Sequence, residues 1–163
     1  MKRRIFTLVL TVLLLAATVV APLSASAATK VKILKVTTDG ARLRSGPSSA
    51  YSVVTSVGKG SKVFYLNKTK NSFARVRTSK GRVGYMYKGF LKSYGTCYKS
   101  QIYYCKKSSA QVYKKPSTKS KKVTKLSKAQ HVIVYQVKGN WAYIKTLGGT
   151  GGDVKKASLK KAS

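Results

Sequence analysis

The chain has 163 residues, of which 34 are Lys or Arg and only two, Asp39 and Asp153, are acidic, giving a formal charge of +32. It contains no Glu, one His and two Cys. That inventory leaves only two Asp, both in apparent turns, for hydrolysis by a pair of carboxylates, offers no nucleophile with a base and an acidic orienter, and holds too few ligands for a tetrahedral metal site. No catalysis, cofactor or metal is expected, and the charge makes polyanions the natural counter-partners.

The N-terminus opens on Met1-Lys2-Arg3-Arg4, runs apolar from Ile5 to Val20 and ends in Ser24-Ala25-Ser26-Ala27. A basic head, a short apolar centre and an Ala-x-Ala end read as a signal peptide over 1–27, cleaved after Ala27. The expected product is secreted, has no cysteine near the cut to take a lipid, and keeps no membrane-spanning segment. Losing Lys2, Arg3 and Arg4 takes its formal charge from +32 to +29.

Short strand-like runs follow. Val31–Val36 is closed by Thr38-Asp39-Gly40, and Ala41-Arg42-Leu43-Arg44 alternates before Ser45-Gly46-Pro47-Ser48 turns the chain. Val53–Val57 is followed by Gly58-Lys59-Gly60 and the run Lys62–Leu66. Asn67 to Ser72 is polar and reads as a break. Phe73–Arg77 alternates again, Ser79-Lys80-Gly81 turns, and Val83–Tyr87 is the last long run before Phe90-Leu91. Five or so short strands with Gly, Ser and Asn turns and no helical period predict a small all-β barrel.

The pattern then repeats. At an offset of 69 residues Ile33 falls on Ile102, Ala41 on Ala110, Pro47 on Pro116 and Val57 on Leu126. One residue is then dropped, and at an offset of 68 Phe73–Arg77 meets Trp141–Lys145 and Leu91 meets Leu159. A single gap over such a length argues a tandem duplication, with one domain over 31–94, a polar linker over 95–100 and a second domain over 101–160.

The Leu-Arg-Ser-Gly-Pro-Ser stretch, the Gly-Lys-Gly turn before a β-run, an aromatic opening a strand that ends in Val-Arg, and the late Gly84-Tyr85 pair resemble the bacterial SH3 (SH3b) domain. The resemblance implies two small SH3-like β-barrels in tandem, of the kind that attaches extracellular bacterial proteins to the cell wall. The second unit diverges: Lys114-Lys115-Pro116 replaces Ser-Gly-Pro, and Gly152-Asp153 replaces Gly84-Tyr85.

All five arginines beyond the leader, Arg42, Arg44, Arg75, Arg77 and Arg82, lie in the first unit. Period two puts Arg42 and Arg44 on one face of their strand, and Arg75 and Arg77 on one face of theirs. Guanidinium forks grip phosphate or carboxylate with two bonds, although such pairs also suit a face turned only to water. Tyr85 and Tyr87 share a face and either stack on sugar rings or cap the core. These seven residues and Tyr51 make the candidate ligand-binding set. The expected partners are peptidoglycan and teichoic acid in the wall, with other polyanions, extracellular nucleic acid included, as the alternative; the protein is expected to act as a monomer. Cys97 and Cys105, alone in an exported chain, are expected to form a disulfide, the alternative being one buried and one exposed thiol. His131 aligns with Lys62 and is expected to face solvent.

Overall fold

Alternation decides which side of each strand is buried, and the computed structural model, which describes residues 28–163, follows it closely. The expected signal peptide, 1–27, lies outside the described residues. In the first unit β1 (Lys30–Val36), β2 (Ala41–Arg44), β3 (Val53–Val57), β4 (Lys62–Lys70), β5 (Phe73–Thr78), β6 (Val83–Tyr87) and β7 (Leu91–Tyr98) form one antiparallel sheet in the order β3-β2-β6-β5-β4-β1-β7. The second unit has β8 (Ile102–Cys105), β9 (Ser109–Tyr113), β10 (Lys122–Ser127), β11 (His131–Lys138), β12 (Trp141–Thr146), β13 (Gly151–Lys155) and β14 (Leu159–Lys161). Its order, β10-β9-β13-β12-β11-β8-β14, repeats the first strand for strand. Among the described residues the chain is all-β, with two SH3-like units. No helix among the described residues is long and apolar enough to cross a membrane.

Each sheet encloses its own core. In the first, Val36, Ala41, Leu43, Val57, Val63, Ala74, Val76 and Met86 form one buried cluster against which Leu91 packs. Val57 and Leu91 come from the two edge strands, so the sheet curls until its edges share one interior. The second core takes Cys105, Ala110, Val112, Leu126, Val132, Ala142, Ile144, Val154 and Leu159 from the matching positions. The one-residue gap between repeats has a local cause. Tyr65 pairs with Val76 and Thr69 with Ala74, leaving a bulge of Leu66, Asn67 and Lys68, whereas the matching bulge between Val134 and Gln136 is shorter.

Two expectations about loops are corrected. The polar stretch after Leu66 is strand: β4 runs on to Lys70 as an exposed hairpin arm, and Asn71 and Ser72, at φ 47° and 60°, make its tight turn. The expected linker is also strand. From Lys30 opposite Tyr98 to Val36 opposite Leu91, β7 pairs with β1, so residues 95–98 close the first sheet. A single 3-10 turn, Lys99–Gln101, then leads into β8.

Between the units lies a third buried cluster, Ile33, Phe64 and Cys97 of the first with Ile102, Ile133, Leu147 and Ala162 of the second. Ile33 and Ile102 are repeat equivalents, as are Phe64 and Ile133, so corresponding surfaces of the two units face each other across this seam. A backbone hydrogen bond from His131 N–H to the Ser79 carbonyl, 2.7 Å, ties them further.

The cysteines do not form the expected bridge; both are free and buried. Cys97 belongs to the seam cluster, whereas Cys105 takes the place of Val36 in the second core and serves as a small apolar residue. Burial pushes the Cys97 thiol up to about 11. His131 is likewise not at the surface. It is 7% exposed, with its ring between Phe64 and Tyr104 and its Nδ1 2.9 Å from the Ala129 carbonyl.

Candidate ligand-binding face

The outer face of the first sheet carries the candidate residues because their strand neighbours point inward. Leu43, Val76 and Met86 are fully buried, which turns Arg42, Arg44, Arg75, Arg77, Tyr85 and Tyr87 outward. Pairing then sets them in rows. Arg44 on β2 stands opposite Tyr85 on β6, which stands opposite Arg75 on β5, so one tyrosine lies between two guanidinium groups. In the next row Tyr87 pairs with Phe73, ring centroids 5.8 Å apart, and also meets Phe90 edge-on at 5.2 Å.

Close backbone approach makes this face possible. A Cβ at Gly84 would stand 2.5 Å from the Arg44 carbonyl, so only glycine lets β6 lie against β2 and align Tyr85 with Arg44. Gly152 meets the Tyr113 carbonyl at the same 2.5 Å, which explains why the glycine survives in the second unit while the tyrosine after it does not.

The arginines divide by task. The Arg44 guanidinium donates to the Tyr51 carbonyl at 2.7 Å, fixing the loop after the Gly-Pro turn, and the Tyr51 ring packs over Gly46. Arg82 donates to the Val54 carbonyl at 3.3 Å. Arg42 and Arg44 line a groove of about 550 Å³ with Phe73, Tyr87 and Phe90, which also includes Asp39, whose carboxylate accepts from the Lys59 N–H. Arg75 and Arg77 instead line a second cavity of about 350 Å³ that reaches the seam, with Phe64 and Ile102 in its wall. The eight candidates therefore form no single pocket: Arg42, Arg44 and Tyr87 share one groove, Tyr85 and Arg75 continue across the sheet, and Arg77 faces the second unit. Two features escaped sequence reasoning, the contribution of Phe73 and Phe90 to the groove and the seam cavity beside Arg75 and Arg77. The alternation of Phe73 with Arg75 was the available signal for the first.

A family model described as a bacterial SH3 domain matches residues 39–92. Comparison with curated proteins finds no match. Among solved structures, NlpC2 from Trichomonas vaginalis is 17% identical at a TM-score of 0.33, covering 84% of this chain and 50% of that one. NlpC1 from the same organism is 19% identical at 0.33, covering 85% and 48%. An NlpC/P60 family protein from Bacillus cereus ATCC 10987 is 14% identical at 0.35, covering 81% and 56%. The chain thus spans about half the length of each. With its strand order, its Gly84-dependent pairing and the matched stretch, the first unit is a bacterial SH3 domain over residues 39–92.

Proposed function

We propose that this is a secreted, non-catalytic protein that attaches to the bacterial cell wall as a monomer, the first unit gripping peptidoglycan and the phosphodiester of teichoic acid. The observation that carries the reading is the Arg44–Tyr85–Arg75 row beside the groove of Arg42, Phe73 and Tyr87. Guanidinium groups supply paired donors to phosphate or carboxylate, and the interleaved rings supply flat apolar surface for sugars. Asp39 and Asp153 sit in different units and His131 sits against Phe64 at the seam, which favours binding over chemistry. The high positive charge supports the same choice of anionic partner.

The test is sedimentation of the protein with purified walls at low and high salt. Arg42→Ala with Tyr87→Ala is compared with Lys121→Ala plus Lys122→Ala, two exposed lysines of the second unit. The lysine pair removes more charge, so a partner held by bulk charge loses more from it. A built site instead loses about tenfold from the Arg42/Tyr87 pair, the worth of one charge-assisted contact, and keeps binding at high salt. If the lysine pair costs as much, and binding vanishes with salt, the protein is a general polyanion binder.

A further inference from the structure

The two units share a fold but not a surface. Where the first carries Arg44, Tyr85 and Arg75 in one cross-strand row, the second carries Tyr113, Asp153 and Tyr143, again paired directly across β9, β13 and β12. Each cation has become an aromatic, and the aromatic between them has become an acid. The row points outward, since Val112, Val154 and Ile144 beside it are fully buried. Trp141 stands in the adjoining row opposite Lys155, its ring edge-on to Tyr113 at 5.7 Å. Lys155 Nζ lies 4.3 Å above the Trp141 ring, so the nearest lysine of that strand is spent on an aromatic. Gly151 leaves room for Tyr143, whose hydroxyl would stand 2.7 Å from any Cβ there. Asp153 is half-buried, and burial pushes its carboxyl above the usual carboxylate range.

We propose that this face of the second unit is a binding site for a neutral pyranose, whose C–H face packs on Tyr113 and Tyr143 and whose hydroxyls donate to the Asp153 carboxylate. Aromatic rings beside a carboxylate suit two ligand types, a sugar and an ammonium. The net field of the molecule decides between them: it repels a free cation from every direction, whereas a neutral hydroxyl-rich ring pays no such penalty. A phosphate or carboxylate seated in the row itself would meet the Asp153 carboxylate at short range, which disfavours it there. A hydroxyl donating to a carboxylate makes a charge-assisted bond, stronger than one between neutral groups. The inference rests on the wall reading only for the kind of sugar, an N-acetylhexosamine of a glycan strand.

The chain has a single tryptophan, and it lies on this face, so its emission reports from this site alone. The full chain is titrated with tri-N-acetylglucosamine at about 0.15 M and 1 M salt, conditions that strip exposed ionic attraction but leave stacking. A saturable change in Trp141 emission, equal at both salts, is expected. Asp153→Asn, which keeps the shape of the side chain, should weaken it about tenfold, the loss of one hydrogen bond to a charged group. Tyr143→Ala should abolish it, and Lys68→Ala, in the exposed arm of β4, should leave it unchanged. Circular dichroism melts accompany each variant; should Tyr143→Ala fail to fold, Asp153→Asn decides. No emission change in wild type, or Asp153→Asn binding as wild type, overturns the proposal, and a response to tetramethylammonium in place of the sugar overturns it in favour of a cation site. A silent titration with wall sedimentation intact removes the sugar site and leaves the wall reading standing. Sedimentation that follows only lysine number removes the wall reading and leaves the fluorescence result untouched.

Discussion

Phe64 heads the fully buried side chains by size among the described residues, yet it belongs to neither unit's own core. It is 1% exposed and fills the seam against Ile102, Ile133 and the His131 ring, whose centroid is 6.4 Å away. Phe64→Ala removes a whole ring there and leaves a cavity that two rigid sheets cannot close, a loss of about 3–5 kcal/mol. At roughly 2–4 °C per kcal/mol for a chain of this size, the melting midpoint should fall by about 6–20 °C. The lesion lies between the units, so the transition should also split in two, with a calorimetric enthalpy above the van't Hoff value. Differential scanning calorimetry at pH 7.5 reads both effects. Val137→Ala, at a position 47% exposed, serves as the control and should stay within about 0.5 kcal/mol of wild type. A single transition shifted no further than that control would refute the seam as the element that joins the two units.

His131 gives the seam a pH dependence. Burial holds its pKa below the ordinary 6.5, the Arg77 charge adds to this, and the bond to the Ala129 carbonyl opposes it. The unfolded chain therefore binds a proton that the folded seam resists, so stability is full above pH 6.5 and falls as the pH drops below it; melts at pH 7.5 and 5.5 should differ in wild type and much less in His131→Gln. Both thiols should resist a thiol-specific reagent in the native protein and react on denaturation, and a reductant should leave the midpoint unchanged, whereas a linked Cys97–Cys105 peptide would restore the disulfide.

The repeat register was legible because core positions tolerate little: Leu43 matches Val112, Val63 matches Val132 and Val76 matches Ile144, all apolar and all fully buried. Even the single gap had a physical address, the bulge in β4. The seam was harder to see, although its signal was present. Val63-Phe64 and Val132-Ile133-Val134 are runs of adjacent apolar residues, so both faces of those strands must be covered, one by the unit's own core and one by its neighbour. Strand β7 was hidden because Ser93, Gly95 and Thr96 carry no apolar alternation between Leu91 and Cys97, the residues by which it packs on the first core and in the seam. His131 was misplaced by its alignment with Lys62, because the register gives the strand position and not what the opposite unit lays over it. The arginine face was readable from period two. Which arginines act on backbone carbonyls was not, because Tyr51 and Val54 are brought to them by the fold of a loop and an edge strand.

With a buried seam in place of a tether, the tandem behaves as a ruler. Two modules on a flexible chain search for a second contact at an effective concentration set by tether length, and each engagement costs chain entropy. Here the Ile33–Ile102 and Phe64–Ile133 packing and the Ser79–His131 backbone bond fix the spacing and angle of the two outer faces before any ligand arrives. On the two-site reading proposed above, a polymer whose repeat matches that spacing would engage both without further ordering. A polymer out of step would engage one face at a time, however long it is, and discrimination between related polymers would then reside in their periodicity as much as in their chemistry.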